Sequence, residues 1–107
     1  MLFRSTHHGT TNAVLIPAVL DLNRQAIEST IERVCAYLGM KGGFDGFRAR
    51  VTALNQTLNI PASLTALGLE QPDMDLIIKG ALIDPSCGGN PVPLNAENLG
   101  DVLQKSL

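Results

Sequence analysis

This chain of 107 residues lacks much of what would mark a specialised binding protein. It has no tryptophan and one tyrosine, which argues against a stacking platform for nucleic-acid bases. Charged residues make up 17% of it, the net charge is −2, and neither sign gathers into a stripe, so nothing points to a phosphate backbone or an anionic membrane. The two cysteines, Cys35 and Cys87, stand far apart with no CxxC-type spacing, so neither a disulfide framework nor a zinc knot is indicated, and one disulfide between them is the lesser alternative to free thiols. Two free thiols in a reducing compartment are the expectation. The longest apolar run, Ala13 to Leu20, is interrupted by Pro17 and is too short to span a bilayer. No signal-peptide core opens the chain, and a cytoplasmic location is expected.

What is present is helical periodicity. The length allows one domain with a modest core. The segment from Asn12 to Asn23 is apolar around most of its circumference, as in a buried helix, and Pro17 either lies in its first turn or kinks it. From Arg24 to Leu38, residues Ile27, Ile31, Val34, Cys35 and Leu38 form one stripe opposite Glu28, Glu32 and Arg33, and Gly39 suits a left-handed stop. Phe44 to Leu58 repeats the pattern through Phe47, Val51, Leu54 and Leu58. Asn59-Ile60-Pro61 ends that helix and starts a short one, with Leu64 and Leu67 facing inward up to Gly68. Pro72 opens a helix over Asp73 to Ile83, whose acidic first turn complements the helix dipole. Asp84 to Leu94 is a loop rich in glycine and proline, after which Asn95 caps a terminal helix and Leu94 can staple Leu99. No stretch alternates as a strand would. The expected fold class is all-α, a small bundle of about five to six helices.

The chemistry-bearing residues are few. His7 and His8 precede the first helix, and a divalent iron or zinc ion needs four to six donors, so spacing alone supplies no metal site. The pairs Gly42-Gly43 and Gly88-Gly89 follow no strand and lack the spacing of a dinucleotide loop. No catalytic or cofactor-binding residue is read from the sequence.

Three ordered motifs nevertheless resemble those of one family. His8-Gly9-Thr10-Thr11-Asn12-Ala13-Val14-Leu15-Ile16-Pro17, continuing to Asn23, is similar to the HG-x-x-NA-x-LLP-x-V-x-x-x-N segment of the iron-containing (group III) alcohol dehydrogenases. Leu58-Asn59-Ile60-Pro61-Ala62-Ser63-Leu64 with Gly68 resembles their L-x-IP-x-x-L-x-x-x-G pattern. Ala81-Leu82-Ile83-Asp84, followed by Cys87-Gly88-Gly89-Asn90-Pro91, resembles their A-x-x-D-x-C-x-x-NP pattern. The matches occur in the family's order over essentially the whole chain.

The resemblance implies that His8 is the last protein ligand of the iron, while His7 occupies a variable position and is given no ligand role. It implies that Cys87 can line the catalytic cavity, against the plainer reading of a buried inert thiol. Asn12 and Asn23 are expected to close helix ends or bond nearby backbone, and Asn90 to secure its loop through backbone bonds. The family's activity is reversible hydride transfer between an alcohol or aldehyde and NAD(P), with iron as Lewis acid. Its other metal ligands and its glycine-rich nucleotide turn lie upstream of the His-Gly pair, and only seven residues precede His8 here. The expectation is therefore a C-terminal helical segment over residues 1–107, without the dinucleotide-binding domain and inactive alone. The expected partner is a missing N-terminal half supplied by another chain, or a second copy in a homodimer; a separate idea is a His7/His8 metal site shared across such a dimer. The alternative is a helical interaction module that has lost catalysis and self-associates through Val14, Leu15, Val19 and Leu22.

Overall fold

The computed structural model describes residues 8–68 and 73–107, with the His8 side chain outside the described atoms. Its elements are α1 (His8–Leu38), α2 (Gly43–Thr57), α3 (Met74–Ile83), a 3-10 turn (Pro85–Gly89) and α4 (Ala96–Ser106). Among the described residues there is no strand. The all-α expectation is met, with four α-helices and one 3-10 turn as the helical elements among the described residues.

The first two expected helices are one. α1 runs through Asn23 without a break, and Pro17 lies inside it. Proline at position 17 removes the donor that would have bonded the carbonyl of Ala13. The amide nitrogen Nδ2 of Asn55, on α2, donates to that same carbonyl at 2.9 Å. A distant side chain thus replaces the missing backbone bond, which is why the helix continues past its proline.

The helix ends follow from local chemistry. After α1, the N–H of Gly39 bonds the carbonyl of Ala36 and the N–H of Met40 bonds that of Cys35, with Gly39 at φ 72°. This paired closure needs a left-handed residue, and glycine takes it without a Cβ clash. α2 ends in the same way. Asn59 N–H bonds Gln56 and Ile60 N–H bonds Asn55, while Asn59 itself holds φ 59°. Asp73 caps α3 by accepting from Leu76 N–H at 3.1 Å. Asn95 and Asn98 exchange side-chain bonds across the first turn of α4, at 2.8 and 2.9 Å. Glu97 and Lys105 sit at the ends of α4 that suit their charges.

The segment after Pro61 is a different matter. A short helix was expected there, but residues 61–68 form bends and turns. Their tie to the fold is the N–H of Leu64, which bonds the carbonyl of Ser106 at the end of α4, 2.7 Å away. That long-range bond takes the place of a helical one, and Leu64 sinks to 1% exposure in the core. Pro72 lies outside the described residues.

α1 is the spine: α2 and α4 pack on it, and α3 packs on α4 and the 3-10 turn. Val14, Leu64, Ile77 and Leu103 form the centre of the core, flanked by Leu15, Ile60 and Ile78 among others. Burial of each such side chain contributes roughly 1.5–3 kcal/mol. The molecule measures 41 × 31 × 19 Å and its radius of gyration is 14.6 Å, against about 13 Å for a compact chain of this length. The excess comes from a 31-residue helix in a thin body. Val14, a candidate for the self-association patch of the alternative reading, is 6% exposed. The open apolar side chains are Ile16 on the same stretch of α1 and, elsewhere, Leu54 and Leu58, Leu76, Leu82 and Ile83, and Val34, Tyr37 and Leu38.

Candidate functional site

His8 is the first residue of α1, so the spine of the fold carries it. His7 lies outside the described residues. Among the described residues no group of three or more His, Cys, Asp or Glu is placed to hold a metal ion. These residues therefore do not by themselves fit iron, which needs more donors than one histidine.

Cys87 sits in the 3-10 turn that starts the 84–94 loop, and it is half-buried where a buried thiol was the plainer expectation. Both cysteines are free, and Cys35 is the buried one. The turn begins where Asp84 accepts from Ser86 N–H at 2.8 Å, a bond that caps the short helix from a side chain. Asn90 closes it by bonding the carbonyl of Cys87 through its N–H, and its Nδ2 donates to the carbonyl of Val92 at 2.7 Å. The backbone bonds expected of Asn90 are thus in place.

The side chain of Asn90 does more. Its Nδ2 donates to Oδ1 of Asn23 at 2.7 Å, and Nδ2 of Asn23 donates back to Oδ1 of Asn90 at 2.9 Å. Asn23 is 5% exposed and lies in mid-helix, not at a helix end. Two of the three motifs that carry the resemblance, the first and the last, are joined here side chain to side chain. Between His8 and Asn23 the helix rises about 22 Å, so the loop is anchored well along α1 from its histidine.

A small cleft of about 250 Å³ opens between α1, α2 and α4, lined by Pro17, Asp21, Arg48, Ala62, Lys105 and Ser106 among others. Its charge is largely spent internally. Arg48 grips Asp21 with two bonds, Nε to Oδ1 at 2.8 Å and Nη2 to Oδ2 at 3.0 Å. Ser106, 4% exposed, donates its hydroxyl to the carbonyl of Val102 at 2.7 Å. The cleft is below the usual size of a ligand pocket, and its fork-shaped ion pair acts as a brace between helices.

Further along α1, Arg24 bonds Glu28 one turn on and Asp45 on α2, the latter at 2.8 Å, while its guanidinium lies 4.7 Å from the ring centre of Phe44. The bonds to Glu28, then to Asp45, push its pKa further up, so it is a fixed cation. Beyond it, Thr30, Arg33, Val34, Tyr37 and Leu38 surround an open, mostly apolar depression of about 330 Å³. Among the described residues no helix is long and apolar enough to cross a membrane.

Sequence reasoning singled out Asn23 and Asn90 but did not pair them, and it missed Asn55. The signal for Asn55 was the internal proline, which frees a carbonyl and demands a donor from elsewhere.

The architecture is that of a small all-α helical domain whose first helix opens on a His-Gly pair. The chain belongs to the Fe-containing alcohol dehydrogenase family, C-terminal part, whose family model matches residues 3–107. It is 31% identical over 104 residues to lactaldehyde reductase of Escherichia coli, covering 91% of this chain and 27% of that enzyme. It is 31% identical over 105 residues to 4-hydroxybutyrate dehydrogenase of Cupriavidus necator, covering 94% of this chain and 27% of that enzyme. Alcohol dehydrogenase 4 of Saccharomyces cerevisiae is 28% identical over 103 residues, covering 92% of the chain and 27% of the relative. The chain thus spans about a quarter of the length of the curated relatives it matches. No solved structure matches it significantly.

Proposed function

We propose that these residues form the C-terminal helical part of an iron-dependent, NAD(P)-linked alcohol dehydrogenase and supply His8 as one ligand of its metal. The reaction class is hydride transfer between an alcohol or aldehyde carbon and a nicotinamide. The observation that carries the reading is the family match over residues 3–107. The Cys87 loop borders the cavity of the assembled enzyme in this reading, and the location is cytoplasmic. The remaining ligands and the nucleotide site come from an α/β portion, in the same polypeptide or in a partner chain. On its own the segment is inactive, because one histidine cannot hold the metal. A turnover assay tests this, using the 107-residue chain with added iron or zinc, NAD or NADP, and short alcohols. Background rates are expected; sustained turnover by the chain alone would refute the reading.

A second reading has one observation in its favour. The depression walled by Val34, Tyr37 and Leu38 leaves apolar surface open to water. A self-associating helical module would cover it. Size-exclusion chromatography separates the two readings: a discrete dimer supports the module, and a monomer that gains a metal site only with the α/β portion supports the dehydrogenase domain.

A further inference from the structure

We propose that the reciprocal Asn23–Asn90 amide pair is a latch that holds the 84–94 loop against α1 and so governs access to Cys87. The proposal goes beyond the dehydrogenase reading and does not depend on it.

Among the described residues the loop's other bonds are local. Asp84 bonds Ser86, Asn90 bonds Cys87 and Val92, and Asn98 bonds the carbonyl of Pro93. These ties, with the packing of the 3-10 turn on α3, shape the loop without fixing it to the spine. Asn23 and Asn90, 67 positions apart, exchange two bonds at 2.7 and 2.9 Å. The loop has little apolar anchorage: Asp84, Pro85, Ser86, Gly88, Gly89, Pro91 and Pro93 are exposed, and only Cys87, Asn90, Val92 and Leu94 are half-buried. On the helix side the partner is fixed, since Asn23 is 5% exposed inside a continuous α1. An amide pair satisfies a donor and an acceptor on each side at once, so losing either partner leaves a buried polar group unmatched at Asn23 or frees the loop at Asn90. Cys87 lies three residues before Asn90 in the same turn and therefore reports on the loop's position. Cys35, 1% exposed beneath α2, is the internal reference.

The test is the rate at which a small thiol reagent modifies Cys87 in the 107-residue chain, for the parent, Asn90→Ala, Asn23→Ala and the double variant, at one pH. Folding is checked by circular dichroism. The latch predicts that Asn90→Ala raises the Cys87 rate roughly tenfold, the equivalent of one to two net hydrogen bonds, while Cys35 stays protected. Asn23→Ala is predicted to do the same, and the double variant to add nothing to either single change, because one device has been removed in each. An unchanged Cys87 rate in folded Asn90→Ala overturns the proposal, as do multiplying effects in the double variant. Should Asn23→Ala fail to fold, Asn90→Ala alone decides.

Discussion

The two halves of α1 live in different surroundings. From His8 to Asn23 the helix is held by polar bonds from three directions: Asn55 to the Ala13 carbonyl, Arg48 to Asp21, and Asn90 to Asn23. Val14 and Ala18 are buried there beside Thr11. From Arg24 onward the helix rests on α2 through Cys35 and Phe44, and its outer face is open, with Tyr37 90% and Leu38 63% exposed. One regular element is therefore a fixed platform at one end and a spine with a free apolar side at the other. The histidine and both family motifs that meet on α1 belong to the fixed half. A site that must place a ligand accurately benefits from such a frame, because side chains on a braced helix keep their geometry.

Substitutions can break this contrast in graded steps. The largest loss is expected from Gly46→Ala, which strikes the seat of the open half: a Cβ there would come 2.1 Å from the Lys41 carbonyl oxygen. Backbone must move, and thermal or urea denaturation should show about 2–4 kcal/mol of lost stability. Next is Asn55→Leu, which strands the Ala13 carbonyl under the fixed half and should cost about 1–3 kcal/mol. In a Pro17→Ala background the returned N–H serves that carbonyl, and the cost of Asn55→Leu should shrink by about 1 kcal/mol or more. An equal cost in both backgrounds would break the account of the continuous helix.

Smaller effects sharpen it. Asn59→Ala puts a residue without a local hydrogen-bonding side chain into a left-handed position and should cost about 1 kcal/mol, whereas Asn59→Gly should be neutral or slightly stabilising. Arg48→Met removes a brace whose partners are each about a third exposed, so about 0.5–1 kcal/mol is expected, diminishing in high salt. Tyr37→Ser on the open face should change the stability of the monomeric chain by less than about 0.5 kcal/mol. A large loss there would mean that the face is already covered by another copy.

Much of this was legible in the sequence because it is local. The stripes of Arg24–Leu38 and Phe44–Leu58, the cap at Asn95 and the stop at Gly39 depend on neighbours within a turn or two, whereas Asp73, read as part of the first turn of its helix, is the residue that caps it. What escaped was decided at long range. Pro17 reads as a break unless the donor of Asn55 is known to arrive. Asn23 reads as a helix end because its partner Asn90 is on another motif. Pro61 promises a helix, but the bond from Leu64 to the Ser106 carbonyl holds that segment as a turn. The apolar circumference of the first helix reads as buried, but not what buries it: Val14 is covered by Leu64, Ile77 and Leu103. Of the candidate site, the family motifs made His8 and Cys87 nameable, while the packing of the loop on α1 was not readable from either motif alone.

The most direct test of the central claim is metal titration of two proteins: the 107-residue chain alone, and the same chain fused behind the α/β portion of a relative such as the Escherichia coli lactaldehyde reductase. The account predicts no tight iron or zinc binding by the chain alone. It predicts one metal per fused chain, lost or strongly weakened by His8→Ala. Tight binding by the chain alone, or a fused protein whose metal affinity ignores His8, would contradict it.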